Sequence, residues 1–170
     1  MLLMKTLTMP ITVSNSTPLI HLAKIRQLHL LPEFFGTLLI PQAVYTECVI
    51  EGQGHEESTL IAQANWLHLV PVANENLLTL LNSELDRGEA EAIVLALERR
   101  ADRLLLDDAE GRSKARLYNL PCVGTLGILL RAHKENKLNT SFLTVLEALQ
   151  ASGFWLDKHL YQKLIQEIGK

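Results

Sequence analysis

The sequence has few of the residues that staple a chain or anchor it. Two cysteines, Cys48 and Cys122, occur in 170 residues, with no CxxC and no zinc-like spacing to histidine. That gives no support to a disulfide framework or a zinc module, and a reduced cytoplasmic compartment is the simplest setting. No uninterrupted apolar stretch is long enough to span a bilayer, so no membrane is expected as a partner. The six histidines form neither HxH nor HxxxH. There is no GxSxG and no phosphate-cradling glycine loop, which removes serine-nucleophile and P-loop chemistry. Positive charge is not in excess: the formal net charge is -3 and the pI is about 6.1. A protein coated in nucleic acid would be basic. A nuclease whose own site is acidic is not excluded.

What is present is ordinary globular composition, 48% hydrophobic and 21% charged. The length suits one domain with a sizeable core. In residues 1–10 the single cation, Lys5, follows apolar residues instead of preceding them, and no small-residue cleavage site follows. This stretch reads as a short irregular leader rather than a signal peptide, with Met9 as an alternative start. The domain proper is expected over residues 11–170.

Short apolar runs alternate with helical patterns. Strands are predicted at 11–13, 37–40, 66–72, 104–106 and 122–123. Pro71 marks the third as an edge, and the all-apolar Leu104, Leu105 and Leu106 suit a central parallel strand. Pro18 opens the first helix, with Ser16 or Thr17 as its cap. Further helices are predicted at 42–49, 56–64, 74–85, 88–99, 110–118, 126–133, 142–149 and 158–168. The last two need covering through Leu143, Leu146, Leu149, Leu160, Leu164 and Ile168. Alternating strands and helices indicate an α/β domain with a mostly parallel central sheet flanked by helices.

The acidic residues fall where the chain turns beside these runs. Asn15 follows the first strand, Glu47 lies in the helix after Pro41, Glu89 and Glu91 open a helix, and Asp107 and Asp108 end the fourth strand. At the carboxyl ends of parallel strands such oxygens converge on one edge, where ligands bind at the switch in strand order. Converging carboxylates repel and call for a cation. Oxygen-only donors select Mg²⁺ or Mn²⁺, which supports phosphodiester hydrolysis.

Each residue also has a plainer reading. Asn15 suits an Asx turn or a helix cap. Asp86 to Glu89 has the form of a capping box. Residues two apart on a helix point roughly 200° apart, so Glu89 and Glu91 do not serve one ion together within a regular helix. Neighbours in a strand face opposite ways, which sets Asp107 against Asp108. Arg112 and Arg116, four apart, present one face to phosphates or pair as a solvated surface with Glu110. Thr125 either hydrogen-bonds near the site or caps the helix after it.

Five segments in this order resemble the PIN-like family, in its branch related to prokaryotic toxin ribonucleases. They are Val13-Ser14-Asn15-Ser16-Thr17-Pro18, Ile40-Pro41 through Glu47, Leu85-Asp86-Arg87-Gly88-Glu89-Ala90-Glu91-Ala92, Leu104 through Arg112, and Val123-Gly124-Thr125-Leu126-Gly127. The resemblance covers about residues 11–169. It implies a parallel sheet wrapped by helices and an acidic site that binds Mg²⁺ or Mn²⁺ and cuts RNA. It places Glu47, Glu91, Asp108 and Asn15 at the metal, with Glu89 and Asp107 beside them; Arg112, Arg116 and Thr125, read from their position around this edge, are the candidates for contacting RNA. Asn15 stands where the family has its first acid, and its carbonyl oxygen ligates without charge. The resemblance further implies a homodimer and a small antitoxin partner. The function expected is therefore a metal-dependent endoribonuclease acting as the toxin of a toxin–antitoxin pair. A degenerate PIN fold that binds RNA or protein without cutting is the alternative. A phosphatase on another α/β fold ranks last, because the first strand ends in Asn15-Ser16-Thr17 with no aspartate.

Overall fold

The computed structural model describes residues 9–169, so most of the expected leader lies outside the described residues. The chain runs β1 (Thr12–Ser14), α1 (Ser16–Lys24), α2 (Leu30–Phe35), β2 (Leu38–Ile40), α3 (Gln42–Tyr45), α4 (Glu56–Ala62), β3 (Leu67–Leu69) and α5 (Glu75–Asn82). It continues with α6 (Arg87–Glu98), β4 (Arg103–Leu105), α7 (Ala109–Leu117), β5 (Cys122–Val123), α8 (Thr125–Lys134), α9 (Phe142–Ala151) and α10 (Lys158–Ile168). A π-helical turn, Thr46–Ile50, prolongs α3, and Glu51 N–H donates to Thr46 O five residues back at 2.9 Å.

The strands form one parallel sheet in the order β3-β2-β1-β4-β5. The third strand is an edge, in keeping with Pro71, and β4 lies inside the sheet, in keeping with its all-leucine run. From β1 the chain winds outward through β2 and β3, then returns to the other side of β1 for β4 and β5. The order therefore reverses between β1 and β4, which is the switch point of the sheet. There Ser14 registers with Leu105, and Asn15 N–H donates to Leu105 O at 2.9 Å.

Alternation along the strands divides the core in two. Leu38, Ile40 and Leu105 pack with Leu19, Leu22, Val44, Leu129, Leu146 and Leu149 on one face. Val13, Leu104 and Leu106 pack with Ala92, Ile93, Val94 and Leu95 on the other. From Gly88 to Ala96 every residue of α6 is buried, the pattern of a helix covered all round. This central helix carries Glu89 and Glu91 at its buried start.

Three expectations change. The first helix begins two residues before Pro18, with Asn15 rather than Ser16 or Thr17 at the cap position, and the Asn15 side chain makes no capping bond. α2 was not foreseen because Pro32 interrupts its sequence; the proline sits in the first turn, where its missing N–H costs nothing. Leu146, Leu149 and Leu164 are buried as predicted, whereas Leu143 and Leu160 are 45% and 38% exposed. No helix among the described residues is long and apolar enough to cross a membrane.

Candidate functional site

The carboxyl edge of the sheet is where polar side chains are buried and crowded. Asn15 is 3% exposed, and its Oδ1 has no hydrogen-bond partner. An orphaned buried carbonyl is costly unless something else satisfies it. Beside it in sequence, Ser16 Oγ donates to Glu47 Oε2 at 2.5 Å. Burial pushes the Glu47 carboxyl up; the Ser16 bond opposes this, while Asp86, Glu51 and Glu91 add repulsion. Glu47 sits on the π-helical turn and reaches α6: a Cβ added to Gly88 would collide with its carboxylate, lying 3.0 Å from Cδ. A side chain at position 88 would push the Glu47 carboxylate out of its present place.

The start of α6 separates its two glutamates, as their spacing requires. Asp86 caps the helix, with Oδ1 accepting from Glu89 N–H at 2.8 Å. Glu89 is 9% exposed, and burial, then the charges of Asp86 and Asp108, push its carboxyl up to about 7. Glu91 points elsewhere. Its Oε2 accepts from Ala43 N–H at 2.7 Å, and its Oε1 lies 3.9 Å from Arg87 Nε. It thereby satisfies a first-turn donor of α3 that the cap residue Pro41, lacking a side-chain acceptor, leaves open.

The two aspartates after β4 divide in the same way. Asp107 turns to α8: Oδ1 accepts from Thr125 N–H at 2.7 Å and Oδ2 from Thr125 Oγ at 2.6 Å. Burial raises its carboxyl, while the two Thr125 bonds, His21 and Arg112 hold it down. Thr125 is fully buried, so both its donors serve Asp107 and no surface of it faces solvent. Asp108 is exposed and caps α7, with Oδ2 accepting from Gly111 N–H at 2.8 Å. Its charge is felt at Glu89.

The structure thus brings Glu89 and Asp108 to one groove and sets Glu91 apart, on the α3 side with Glu47. The groove, of about 700 Å³, is lined by Glu89, Asp107, Asp108, Arg112, His21 and Trp155 among others. Arg112 forms no ion pair among the described residues, and Glu110 is not its partner. Arg116 is exposed on α7 and does not line the groove. Sequence reasoning missed Ser16, His21, Asp86 and Trp155. Asp86 was legible only as a cap. His21 is four residues past Thr17 on α1, and nothing in its spacing marked it.

Among the described residues no three His, Cys, Asp or Glu side chains form a group able to grip a metal by themselves. The donors nevertheless fit one kind of ion. Mg²⁺ keeps several waters and takes one or two carboxylates rather than a full protein cage. The two carboxylates that repel each other in the groove, Glu89 and Asp108, are hard oxygen donors that match that demand and not that of zinc. Asn15 Oδ1, buried and without a partner, is a further hard oxygen at this edge of the sheet but does not line the groove. A family model, DUF3368, described as a PIN domain, matches residues 11–170. No curated protein matches the chain.

Proposed function

Because the chain belongs to the PIN-domain family, a nuclease-type fold, we propose that it is a metal-dependent endoribonuclease. The observation that carries this reading is the convergence of Glu89, Asp107 and Asp108 on one groove, where burial and the charges of Asp86 and Asp108 push the Glu89 carboxyl up. Perturbed carboxyls in a groove are the mark of a functional site.

Asn15 Oδ1, Glu89 and Asp108 would hold Mg²⁺ or Mn²⁺, with Glu47 bordering the set from the α3 side. The ion, when bound, supplies positive charge against the scissile phosphate. The chain's own residues do the rest. Arg112, in the groove and without an acidic partner, binds a phosphate through its planar fork. Asp107 fixes the start of α8, and so the groove wall, through Thr125. Ser16 holds Glu47 in one rotamer, and Glu91 locks α3 against α6. The toxin role, a small antitoxin and a homodimer rest on the resemblance to toxin ribonucleases, and a cytoplasmic setting on the two unpaired cysteines.

The test is cleavage of a panel of labelled RNAs in Mn²⁺, Mg²⁺ or EDTA, comparing the wild type with Asp108→Asn. Asparagine caps a helix as well as aspartate does, so α7 keeps its start. Metal-dependent cutting that disappears in the variant is expected; equal cutting by both would remove Asp108 from the site. The neutral Asn15 favours a second reading, a PIN fold that binds RNA or protein without cutting. Mn²⁺ that binds nowhere near Glu89 and Asp108 would decide for it.

A further inference from the structure

Trp155 is 82% exposed, the most exposed large apolar side chain among the described residues. It stands in the segment between α9 and α10, and it lines the same groove as Glu89 and Asp108. The segment around it is pinned. Gly153 makes the turn at φ +92, which a side chain would strain. Phe154 packs edge-on against His21, with ring centroids 5.2 Å apart, and Ser152 Oγ lies 2.8 Å from His21 Nδ1. Leu156 is buried, and Asp157 caps α10 through Leu160 N–H at 3.1 Å. Both chain neighbours of Trp155 turn inward, so a single rigid indole is held outward at the groove.

We propose that Trp155 is a stacking platform for a nucleobase of single-stranded RNA whose backbone runs along this groove past Arg112. The reading of the groove as a nuclease site supplies the ligand class, and the proposal rests on it to that extent. Four features favour RNA over a protein partner. The indole shares its groove with Leu126 and Leu160 but also with Glu89, Asp107, Asp108 and Arg112, so the surface around it is not the uniformly apolar patch that a protein interface core would require. Arg112 lines the same groove beside Asp107 and forms no ion pair among the described residues, which leaves its guanidinium a cation to offer a phosphate. Gly127 and Gly153 line the space without side chains and with little or nothing packed over them, so a sugar–phosphate backbone can approach closely there. Base–aromatic stacking tolerates every base, and it requires bases that are not already stacked in a duplex.

The experiment uses the full chain in EDTA, where nothing is cut, with a ten-nucleotide oligoadenylate, the same length carrying abasic sites, and a duplex of that length. Trp66→Phe leaves Trp155 as the only indole, and the single strand should quench its fluorescence while the duplex should not. Trp66 is half-buried against the core, so affinity changes at Trp155 itself provide a second readout that does not depend on that variant. Trp155→Ala should weaken oligoadenylate binding between about fivefold and about a hundredfold, and Trp155→Phe by less than about threefold. The loss should vanish on the abasic strand.

Unchanged affinity of Trp155→Ala, or an equal loss on the abasic strand, would overturn the platform. So would a change in sedimentation with RNA affinity intact, which would place a second copy of the chain on the indole. The nuclease reading fails separately. If the wild type cuts nothing in Mn²⁺ while the quenching persists, stacking stands and hydrolysis falls. If cleavage is intact and Trp155→Ala leaves KM unchanged, the reverse holds.

Discussion

The two ends of α6 use acidic side chains in opposite ways. At its C-terminal end Glu98 accepts from the backbone N–H groups of Ala73 at 2.9 Å and Asn74 at 2.5 Å. Nearby, Asp102 accepts from Ile11 N–H at 2.6 Å. Each of these carboxylates has a donor, is exposed to water and seals a loop. At the N-terminal end Asp86, Glu89 and Asp108 crowd one another, and Glu89 is buried with its ionisation opposed. A protein that needed these acids only for capping would arrange both ends alike. The difference teaches that electrostatic cost is concentrated where the strand order reverses. Two neighbouring acids, the buried Glu91 and the half-buried Asp107, instead accept hydrogen bonds from backbone N–H groups.

The comparison breaks most sharply at Glu89. Glu89→Gln should lower metal-dependent cleavage by about a hundredfold or more, a typical loss for one group that stabilises developing charge; kcat in Mn²⁺ checks it. Next is Thr125→Val, which removes the hydroxyl donor from the buried Asp107 carboxylate. It should cost about 1–3 kcal/mol, read as a melting temperature lower by roughly 3–10 °C.

Third is the pH dependence of stability in EDTA. Glu89 lies near 7 in the folded chain against 4.5 unfolded. Between those values the folded state holds the extra proton, so stability falls as pH rises from 4.5 through 7 and stays low above. Glu89→Gln has no such loss and should gain about 1–2 kcal/mol at pH 8 and nothing at pH 4, after allowance for solvent screening. Urea melts at the two pH values measure this, and a variant less stable at pH 8 would contradict it. Smallest is Glu98→Ala at the quiet end. The freed N–H groups can turn to water, so it should cost only about 0.5–1.5 kcal/mol and leave cleavage unchanged.

Much of this architecture was legible in the residues. Pro71 announced an edge strand, and Leu104, Leu105 and Leu106 announced an interior one. Helical geometry alone separated Glu89 from Glu91. Which of the two would meet Asp108 was not legible, because that depends on where α3 docks against α6, a contact 48 residues apart through Ala43. The π-helical turn under Glu47 has no signal in composition, since it records a packing compromise rather than a propensity. Trp155 was equally silent: an aromatic in a loop reads as core until Phe154 and Leu156 are seen to have taken the inward positions.

The strand order also sets a clock. β1 is made first, yet its partner on the switch-point side, β4, emerges some ninety residues later. Until then Asn15 faces an open sheet edge, and Asp108 has not left the ribosome. Domains fold as units during synthesis, and pairing between distant segments comes late. A nascent chain of this topology therefore cannot bring the ends of β1 and β4, and with them Asn15 and Asp108, together before most of its length has been translated.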